Sequence, residues 1–385
     1  MSKLSRVLFL PLAFLVACSD SRSTLPVSHP HPQQPVGAIT PGPDMSTARA
    51  GDSVSVMGDF KILISGGKDA KGKILDTTEV YDPTHGTFAA GPNMLEPRSG
   101  HFSTLLGDNK VLVVGGMTSG GTALSSSEVY DYETYKFAAR GSMHSRRYRP
   151  AGLMLRDGRV LVAGGEDHGR ALDSAEVYSV LDGRWKLVGR MTAPRAGHTA
   201  TLLPDGRVLI VGGWGSHHVA LDSAEIFDPR TNKFTAAALL PEPRCLHSAG
   251  LLANGQVLIA GGATSGGTDH PGGAPMLHSA LVYDPKTNTF TETGATSDTH
   301  VDATSIFTMP DGRAVLIGGS SSGEIYELHK GEFRTVEGSL DVPRFGSTAL
   351  QVMDGSLRIF GGADAEGVST AMTWTYHLAS VPSRP

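Results

Sequence analysis

The sequence predicts an all-β fold in which seven copies of one four-stranded unit close into a ring, a β-propeller. An apolar run that ends in a Gly-Gly doublet recurs seven times, at intervals of roughly 50 residues. Each copy contains four strand-like runs separated by turn residues. The seven doublets are Gly66-Gly67, Gly115-Gly116, Gly164-Gly165, Gly212-Gly213, Gly261-Gly262, Gly318-Gly319 and Gly361-Gly362.

The composition agrees with one large all-β domain. Among 385 residues there are 48 glycines and 23 prolines, and only 18% of the residues are charged. This balance suits many short strands joined by tight turns. The net charge of -5 leaves no basic excess for a nucleic-acid backbone, so we expect no nucleic-acid partner.

Residues 1–17 have the features of an export signal. Lys3 and Arg6 precede an apolar stretch that is too short to span a bilayer as a finished helix. The stretch ends in Leu15-Val16-Ala17-Cys18, which resembles a bacterial lipobox. The resemblance implies cleavage before Cys18 and acylation of its thiol, and several acyl chains on one cysteine make a stable anchor.

The lipobox resemblance also predicts where the protein resides. We expect a lipid-anchored protein of the bacterial cell envelope, and Ser19 after the cysteine favours the outer membrane or cell surface over the inner membrane. Residues 18–35, rich in Pro, Ser and His, are expected to be a tether, and residues 36–385 the propeller. With Cys18 acylated, Cys245 has no disulfide partner within the chain and is expected to be a small buried side chain.

The fourth copy shows the repeat most clearly. Its first strand follows Arg195, the turn Asp205-Gly206 leads into the apolar run of residues 208–211, and the doublet closes that run. An aromatic pair, Phe227 and Phe234, follows in the third and fourth strands. This pattern resembles the kelch family, whose repeat carries a double glycine after its second strand and an aromatic pair further on. The resemblance implies a seven-bladed kelch-type β-propeller with four-stranded blades.

The chain ends are expected to join in the last blade. The seventh copy runs through Trp374, which we place at the position of the first aromatic, and then lacks room for a fourth strand. Residues 37–45 match residues 86–94 in spacing and turn chemistry. We therefore predict that residues 36–44 supply the missing strand and leave no unpaired sheet edge between the chain ends.

Two recurring positions precede the first strand of the blades. Because the first strands line the central channel, the residues at these positions should surround one mouth of that channel. Arginines occupy the earlier position, at Arg49, Arg98, Arg147, Arg195, Arg244 and Arg344. Three residues later come Asp52, His101, Pro150, His198, His247 and Ser347. The arginines either cap carbonyls within the blades or bind an anionic or sugar-like ligand. The recurring glutamates, such as Glu225, are expected to be structural.

The longer connections between strands all fall on one side of the ring, which we call the loop-rich face. They include Trp214, His217 and His218, and the sixth copy departs from the pattern there with Asp298, His300 and Asp302. Polar and aromatic residues on loops held by a rigid scaffold often carry function. We therefore expect a protein or glycan to bind this face through Arg98, His101, Arg147, Arg195, His198, Trp214, His217, His218, Arg244, His247 and His300.

Other functions remain as alternatives. A metal site on His198, His217, His218 and His247 is one, but the spacing does not require these side chains to converge, and we expect neither metal nor cofactor. Copper radical oxidases and sialic-acid mutarotases resemble this chain only in sharing kelch blades. A carbohydrate-active enzyme working at the channel mouth is the alternative to a binding module, and a purely structural envelope component is a third interpretation.

Overall fold

The computed structural model of the chain describes residues 36–266, 275–302 and 306–378. The predicted signal peptide, Cys18 and the predicted tether lie outside the described residues. Within these ranges, no helix has the length and apolar character needed to cross a membrane. The prediction of an all-β fold is confirmed, since apart from one short 3-10 turn at Ser216–His218 the regular elements of the described chain are strands.

After β1 (Ala38–Pro41), the strands group into blades along the chain. The first blade has β2 (Ser53–Val56), β3 (Ile62–Ser65), β4 (Thr78–Asp82) and β5 (Thr87–Ala90). The second has β6 (Phe102–Leu105), β7 (Val111–Val114), β8 (Ser127–Asp131) and β9 (Lys136–Arg140). The third has β10 (Ala151–Met154), β11 (Val160–Ala163), a small hairpin of β12 (Glu166–Asp167) and β13 (Arg170–Ala171), then β14 (Ala175–Ser179) and β15 (Arg184–Leu187).

The remaining blades repeat this order. The fourth has β16 (Thr199–Leu202), β17 (Val208–Val211), β18 (Ala224–Asp228) and β19 (Lys233–Ala236). The fifth has β20 (Ser248–Leu251), β21 (Val257–Ala260), β22 (Ala280–Asp284) and β23 (Thr289–Thr293). The sixth has β24 (Ile306–Thr308), β25 (Ala314–Leu316), β26 (Glu324–Glu327) and β27 (Glu332–Thr335). The last has β28 (Thr348–Gln351), β29 (Leu357–Phe360) and β30 (Thr373–His377).

The predicted closure of the last blade is confirmed. Strand β1 pairs antiparallel with β30, with Ile39 opposite Tyr376, and completes the four-stranded sheet β1-β30-β29-β28. The Tyr376 hydroxyl donates to the Val36 carbonyl at 2.7 Å. First strands of neighbouring blades pack side by side from the first blade to the sixth, β28 lies beside β2, and one core cluster joins the sixth and last blades, so the ring closes. The described chain enters β1 on the short-turn face, opposite the loop-rich face.

The hydrophobic core lies between neighbouring blades. The second strands are buried on both faces, as the apolar run Val208–Val211 shows, because each blade is covered by its two neighbours. One cluster, for example, joins Leu161 and Val177 of the third blade to Ile210 and Phe227 of the fourth. Burial at roughly 25 cal/mol per Å² makes these interfaces the main stabilising element of the ring.

The position predicted for Trp374 is wrong by two residues. In the first blade Ile62 pairs with Tyr81, and in the last blade the equivalent Leu357 pairs with Tyr376. Tyr376 therefore takes the aromatic position, while Trp374 stands opposite Ile359, where earlier blades place a glutamate. The backbone register of β29 and β30 fixes this assignment, whereas the sequence pattern attracted it to the larger aromatic residue.

Candidate functional site at the channel mouth

The recurring arginines lie inside their own blades. Arg195 is fully buried, its Nη1 donates to the Gly212 carbonyl at 2.7 Å, and its Nη2 donates to Glu225 Oε1 at 2.7 Å. The other members of the predicted binding set, Arg98, Arg147 and Arg244, are equally buried and bond the corresponding glycine carbonyl. This geometry favours the carbonyl-capping interpretation of the arginines over ligand binding.

The recurring glutamates complete the same internal unit. Glu225 accepts hydrogen bonds from the Arg195 guanidinium and from the backbone N–H of Thr192, in the segment that leads into the first strand. Burying such a pair costs solvation, which the pairing and the additional backbone bonds offset. In the blades that carry both, the arginine and glutamate therefore tie the entry of the first strand to the end of the second strand and to the third strand.

Three blades depart from the arginine–glutamate unit. In the fifth, Leu281 takes the glutamate position opposite Ile259. In the last, Trp374 does so, and the Arg344 guanidinium carbon lies 5.9 Å from its ring centre. In the sixth, His300 replaces the arginine: its Nδ1 donates to the Gly318 carbonyl at 2.9 Å, and its Nε2 lies 3.3 Å from Glu324 Oε2. His300, predicted to bind a ligand, is thus fully buried inside its blade.

A ring of left-handed residues encircles the channel mouth two positions after each arginine, or after His300 in the sixth blade. All seven have φ between 49° and 64°: Gly51, Gly100, Arg149, Gly197, Leu246, Asp302 and Gly346. Six backbone bonds link members of neighbouring blades, such as the Gly100 amide to the Gly51 carbonyl at 2.8 Å and the Asp302 amide to the Leu246 carbonyl at 2.9 Å. We call these seven residues the channel ring.

Glycine is the residue that suits this conformation, and at some positions only glycine fits. A Cβ on Gly197 would lie 1.9 Å from the Trp214 ring. Arg149, Leu246 and Asp302 are the exceptions, with φ of 49°, 54° and 52°. A non-glycine residue in this region costs roughly 1–2 kcal/mol. Strain of this kind often marks functional positions, because the surrounding structure must hold it in place.

A cavity of about 300 Å³ opens at the channel ring, on the loop-rich face. Its lining includes Asp52, His101, His198, His247 and Ser347, which are residues that the sequence placed three positions after the arginines. The structure therefore brings three of the predicted binding residues, His101, His198 and His247, to one cavity. Arg149 and Asp302 also line it.

The three histidines are neutral and keep unused hydrogen-bonding capacity. Burial, with a smaller contribution from Arg98, lowers the pKa of His101 to about 3. Burial and then Arg244 lower the pKa of His247 to about 3, and burial and then Arg195 lower that of His198 well below its usual value.

Their ring nitrogens are only partly satisfied. Nε2 of His101 lies 2.9 Å from the Ser65 hydroxyl, and Nε2 of His247 lies 2.9 Å from the Thr199 hydroxyl. The Nδ1 atoms of both rings have no partner. Neither nitrogen of His198 has a partner at hydrogen-bond geometry, and the nearby Ala163 carbonyl opposes the fall of its pKa only weakly.

Asp52 is the acidic counterpart of these histidines. Burial raises its pKa to about 6, although a hydrogen bond from the Thr348 hydroxyl at 2.8 Å and the charge of Arg49 act in the opposite direction. Its second oxygen, Oδ1, is buried without a partner. The pKa of Asp52 is thus closer to neutral pH than that of an ordinary carboxyl group, and perturbed pKa values of this kind cluster at functional sites.

An ion pair crosses the cavity from the third blade to the sixth. Arg149 Nη1 lies 2.7 Å from Asp302 Oδ1, and Nη2 lies 3.0 Å from Oδ2. Arg149 Nε donates to the Tyr148 hydroxyl at 3.2 Å. Burial lowers the pKa of Arg149, but Asp302 and Tyr148 outweigh it and hold that pKa well above its ordinary value. Such bidentate pairs are stronger and more directional than single-contact ones.

Arg149 was not predicted from the sequence and Asp302 had no specific predicted role, yet the sequence contains a signal for both. Four units have glycine two positions after the arginine, as in Arg98-Ser99-Gly100, whereas the third unit has Arg149 there. The fifth and sixth units have Leu246 and Asp302. A departure from glycine at a left-handed position is the feature that identifies them.

The predicted loop residues lie outside the cavity lining. Trp214 is buried, packs with Leu246 and Cys245, and its Nε1 donates to Glu166 at 3.3 Å. His217 is exposed and His218 half-buried in the adjoining 3-10 turn. Trp214 therefore supports the channel ring from outside and presents almost no surface to a partner.

The described residues do not suit a copper or other transition-metal site. Over the described ranges, no three His, Cys, Asp or Glu side chains form a group that could hold a metal ion. Cys245 bonds the Ala263 carbonyl through its Sγ, and burial raises the pKa of its thiol to about 12. A thiol held protonated in this way is a poor metal ligand.

The molecule is thus a seven-bladed propeller with a polar cavity at one end of its channel, and comparison with known proteins gives its family. The family model of the KLHDC2/KLHL20/DRC7 kelch-repeats domain matches residues 100–319. Because this span is more than half of the chain, the protein belongs to the kelch-repeat family. A propeller of this family supports a binding or scaffolding role in general. No curated protein matches the chain.

Two solved structures share the fold. One is a fungal alcohol oxidase of the AA5 family in complex with copper, with a TM-score of 0.69 and 17% identity over 90% of this chain and 76% of that chain. The other is the structure of YjhT, with a TM-score of 0.58 and 14% identity over 86% of this chain and 95% of that chain. At these identities the likeness extends to the fold alone.

Proposed function

We propose that the protein is a binding module, anchored in the bacterial cell envelope through Cys18, that captures the end of a glycan in the channel-mouth cavity. The observation that carries this proposal is one cavity whose lining includes His101, His198, His247 and Asp52, each of which has at least one buried polar atom without a hydrogen-bond partner. Buried polar groups in native structures are nearly always satisfied, so several unpaired ones in the residues around one cavity suit a polar ligand.

The size of the cavity favours a small ligand group over a folded partner. Its volume of about 300 Å³ is at the lower end of the range for ligand sites, roughly 300–1,000 Å³. Only a small molecule, or the end of a longer chain, enters such a space. A glycan chain that leaves the mouth would then pass over the loop-rich face.

The chemistry of the lining matches sugar hydroxyls. Each hydroxyl donates one hydrogen bond and accepts others, and a neutral imidazole offers one donor and one acceptor. Tyr148 and Phe345 add aromatic surface to the same lining. A few polar groups that fix orientation beside aromatic walls are typical of small-molecule sites.

Glycan-array screening of the purified full-length protein, followed by titration calorimetry, tests this proposal. We expect His198→Ala to weaken binding at least tenfold, because His198 lines the cavity and neither of its ring nitrogens has a partner at hydrogen-bond geometry. His217→Ala, a histidine exposed on the loop outside the cavity, is the matched control and should bind as the wild type does. Weakened binding in the His217 variant alone would instead favour a protein or glycan ligand on the loops.

A second function has its own observation. Asp52, with a pKa raised to about 6, lines the cavity, and a carboxyl group whose pKa lies near the working pH suits acid–base transfer on a bound sugar. A mutarotase-like activity would interconvert the anomers of a free sugar. NMR exchange spectroscopy on reducing sugars measures this, and Asp52→Asn should abolish any enhancement that the wild type gives.

The membrane anchor is tested separately. Cys18→Ser should shift the protein from the membrane fraction to the soluble fraction of a bacterial host and abolish incorporation of labelled palmitate. The matched control is Cys245→Ser, which leaves Cys18 intact.

A further inference from the structure

Three residues of the channel ring carry side chains that the backbone conformation does not require. Glycine serves the backbone in four blades, and Arg149, Leu246 and Asp302 adopt the same left-handed conformation in the other three. The ring hydrogen bonds do not require these side chains, since the Gly100 amide makes the same bond as the Arg149 amide. The reason for them must lie in what the side chains reach.

Arg149 and Asp302 reach each other across the channel. They are 153 positions apart in the sequence and stand in the third and sixth blades, yet both guanidinium–carboxylate contacts are within 3.0 Å. Both side chains are mostly buried, with 19% and 16% of their surfaces exposed. Each charge is therefore compensated mainly by the other, with little help from solvent.

The pair makes the cavity close to neutral. Besides Arg149 and Asp302, the charged residues of the lining are Lys68 and Asp52, one of each sign. The three histidines in the lining are uncharged. A ligand with a net charge thus finds no opposite charge in excess.

We propose that the Arg149–Asp302 pair is the specificity determinant of the cavity, which selects an uncharged polyhydroxylated ligand and rejects acidic sugars. This inference rests on the proposed glycan-binding function. A sugar carboxylate would have to displace Asp302 from Arg149 and leave a buried carboxylate without its partner, whereas hydroxyl groups bind around the intact pair. Rejection through an unpaired buried charge is a common source of binding specificity.

The test compares each neutral hexose with the uronic acid that differs only at C6. Titrations use glucose with glucuronate, galactose with galacturonate and mannose with mannuronate, on the full-length protein. The wild type should bind at least one hexose at least tenfold more tightly than its uronate. In Asp302→Asn, Arg149 loses its counter-charge, and the affinity for the uronate should rise at least tenfold. Asparagine keeps the side-chain shape and tolerates the left-handed conformation.

Two controls isolate the charge of the pair. Asp298 belongs to the same blade as Asp302, but its carboxylate bonds Ser320 and Ser322 and does not line the cavity. Asp298→Asn should therefore leave the preference for the hexose over the uronate unchanged. The double variant Arg149→Gln, Asp302→Asn should lose the uronate affinity that the single variant gains.

The outcomes separate this inference from the proposed function. A wild type that prefers the uronate, or an Asp302→Asn variant with unchanged uronate affinity, overturns the inference even where hexoses bind. A wild type that binds no sugar, with an Asp302→Asn variant that gains uronate binding, overturns the glycan-binding function but supports the pair as a charge selector.

Discussion

Replacing Ile39 by alanine tests the closure of the ring. Ile39 is 4% exposed and packs in a cluster with Ile317 and Val336 of the sixth blade and Leu357 and Tyr376 of the last. Its amide also donates to the Glu337 carbonyl at 2.8 Å, which links β1 to the neighbouring blade. One side chain therefore stabilises both the last blade and its contact with the sixth.

The expected loss of stability follows from this burial. Isoleucine to alanine in a core costs about 2–5 kcal/mol, and the upper half applies here because two packed blades leave little room for collapse. With an unfolding entropy of about 2.1 cal/mol/K per residue, a domain of this size loses about 1.5 °C for each kcal/mol. Ile39→Ala should therefore lower the melting temperature by roughly 5–7 °C.

Calorimetry on the purified protein measures this shift, and the same strand offers a matched control. Thr40 is exposed, so Thr40→Ala should move the melting temperature by less than about 1 °C. Deletion of residues 36–44 removes Val36 as well as Ile39 and leaves β30 as an unpaired edge, so its effect should be larger and accompanied by self-association. Equal shifts for Ile39→Ala and Thr40→Ala, or an unchanged melt after the deletion, would refute the closure argument.

Three further substitutions examine the blade interior and the cavity by thermal or chemical unfolding. Glu225→Gln leaves the buried Arg195 without its counter-charge and should lower the free energy of unfolding by about 3–5 kcal/mol. Glu242→Gln, the control at a partly exposed carboxylate, should lower it by less than about 1 kcal/mol. Similar losses in the two variants would contradict the assigned burial. Trp214→Ala should lower the free energy of unfolding by about 3–5 kcal/mol, because the indole ring is buried against Gly197. A loss of less than about 1 kcal/mol would mean that the indole does not support the channel ring. Asp52 holds its proton more tightly in the folded protein, so the stability that its protonated form contributes is present below about pH 4 and is lost as the pH rises through about 6. Above that pH, Asp52→Asn should be more stable than the wild type by up to roughly 3 kcal/mol. A stability difference that stays constant between pH 4 and 7 would refute the raised pKa.

The fold could be predicted from the sequence because the same pattern of strands and turns recurs seven times. The Gly-Gly doublets fix where each second strand ends, and the match between residues 37–45 and 86–94 located the closing strand. Trp374 was misplaced because a bulky aromatic residue two positions early outweighed the spacing that Tyr376 satisfies. Register is decided by backbone pairing, which a sequence pattern indicates only indirectly.

The candidate site was predicted less completely, for a physical reason. The repeat places Arg195 and His198 at the start of the same strand, but it does not say which side chain turns into the blade and which into the channel. The structure buries Arg195 against Glu225 and leaves His198 in the cavity. The Arg149–Asp302 pair joins residues of distant repeats, and only the closed ring determines that they meet.

The geometry of the cavity consequently depends on closure of the ring. The amide of Gly346 donates to the Asp302 carbonyl, and the amide of Gly51 donates to the Gly346 carbonyl, so the last blade connects the sixth blade to the first within the channel ring. The last blade in turn depends on β1, which comes from the opposite end of the described chain. The distance between Arg149 and Asp302 is therefore set by the completeness of the whole ring, and a polar cavity whose selectivity depends on that distance requires a propeller without a gap.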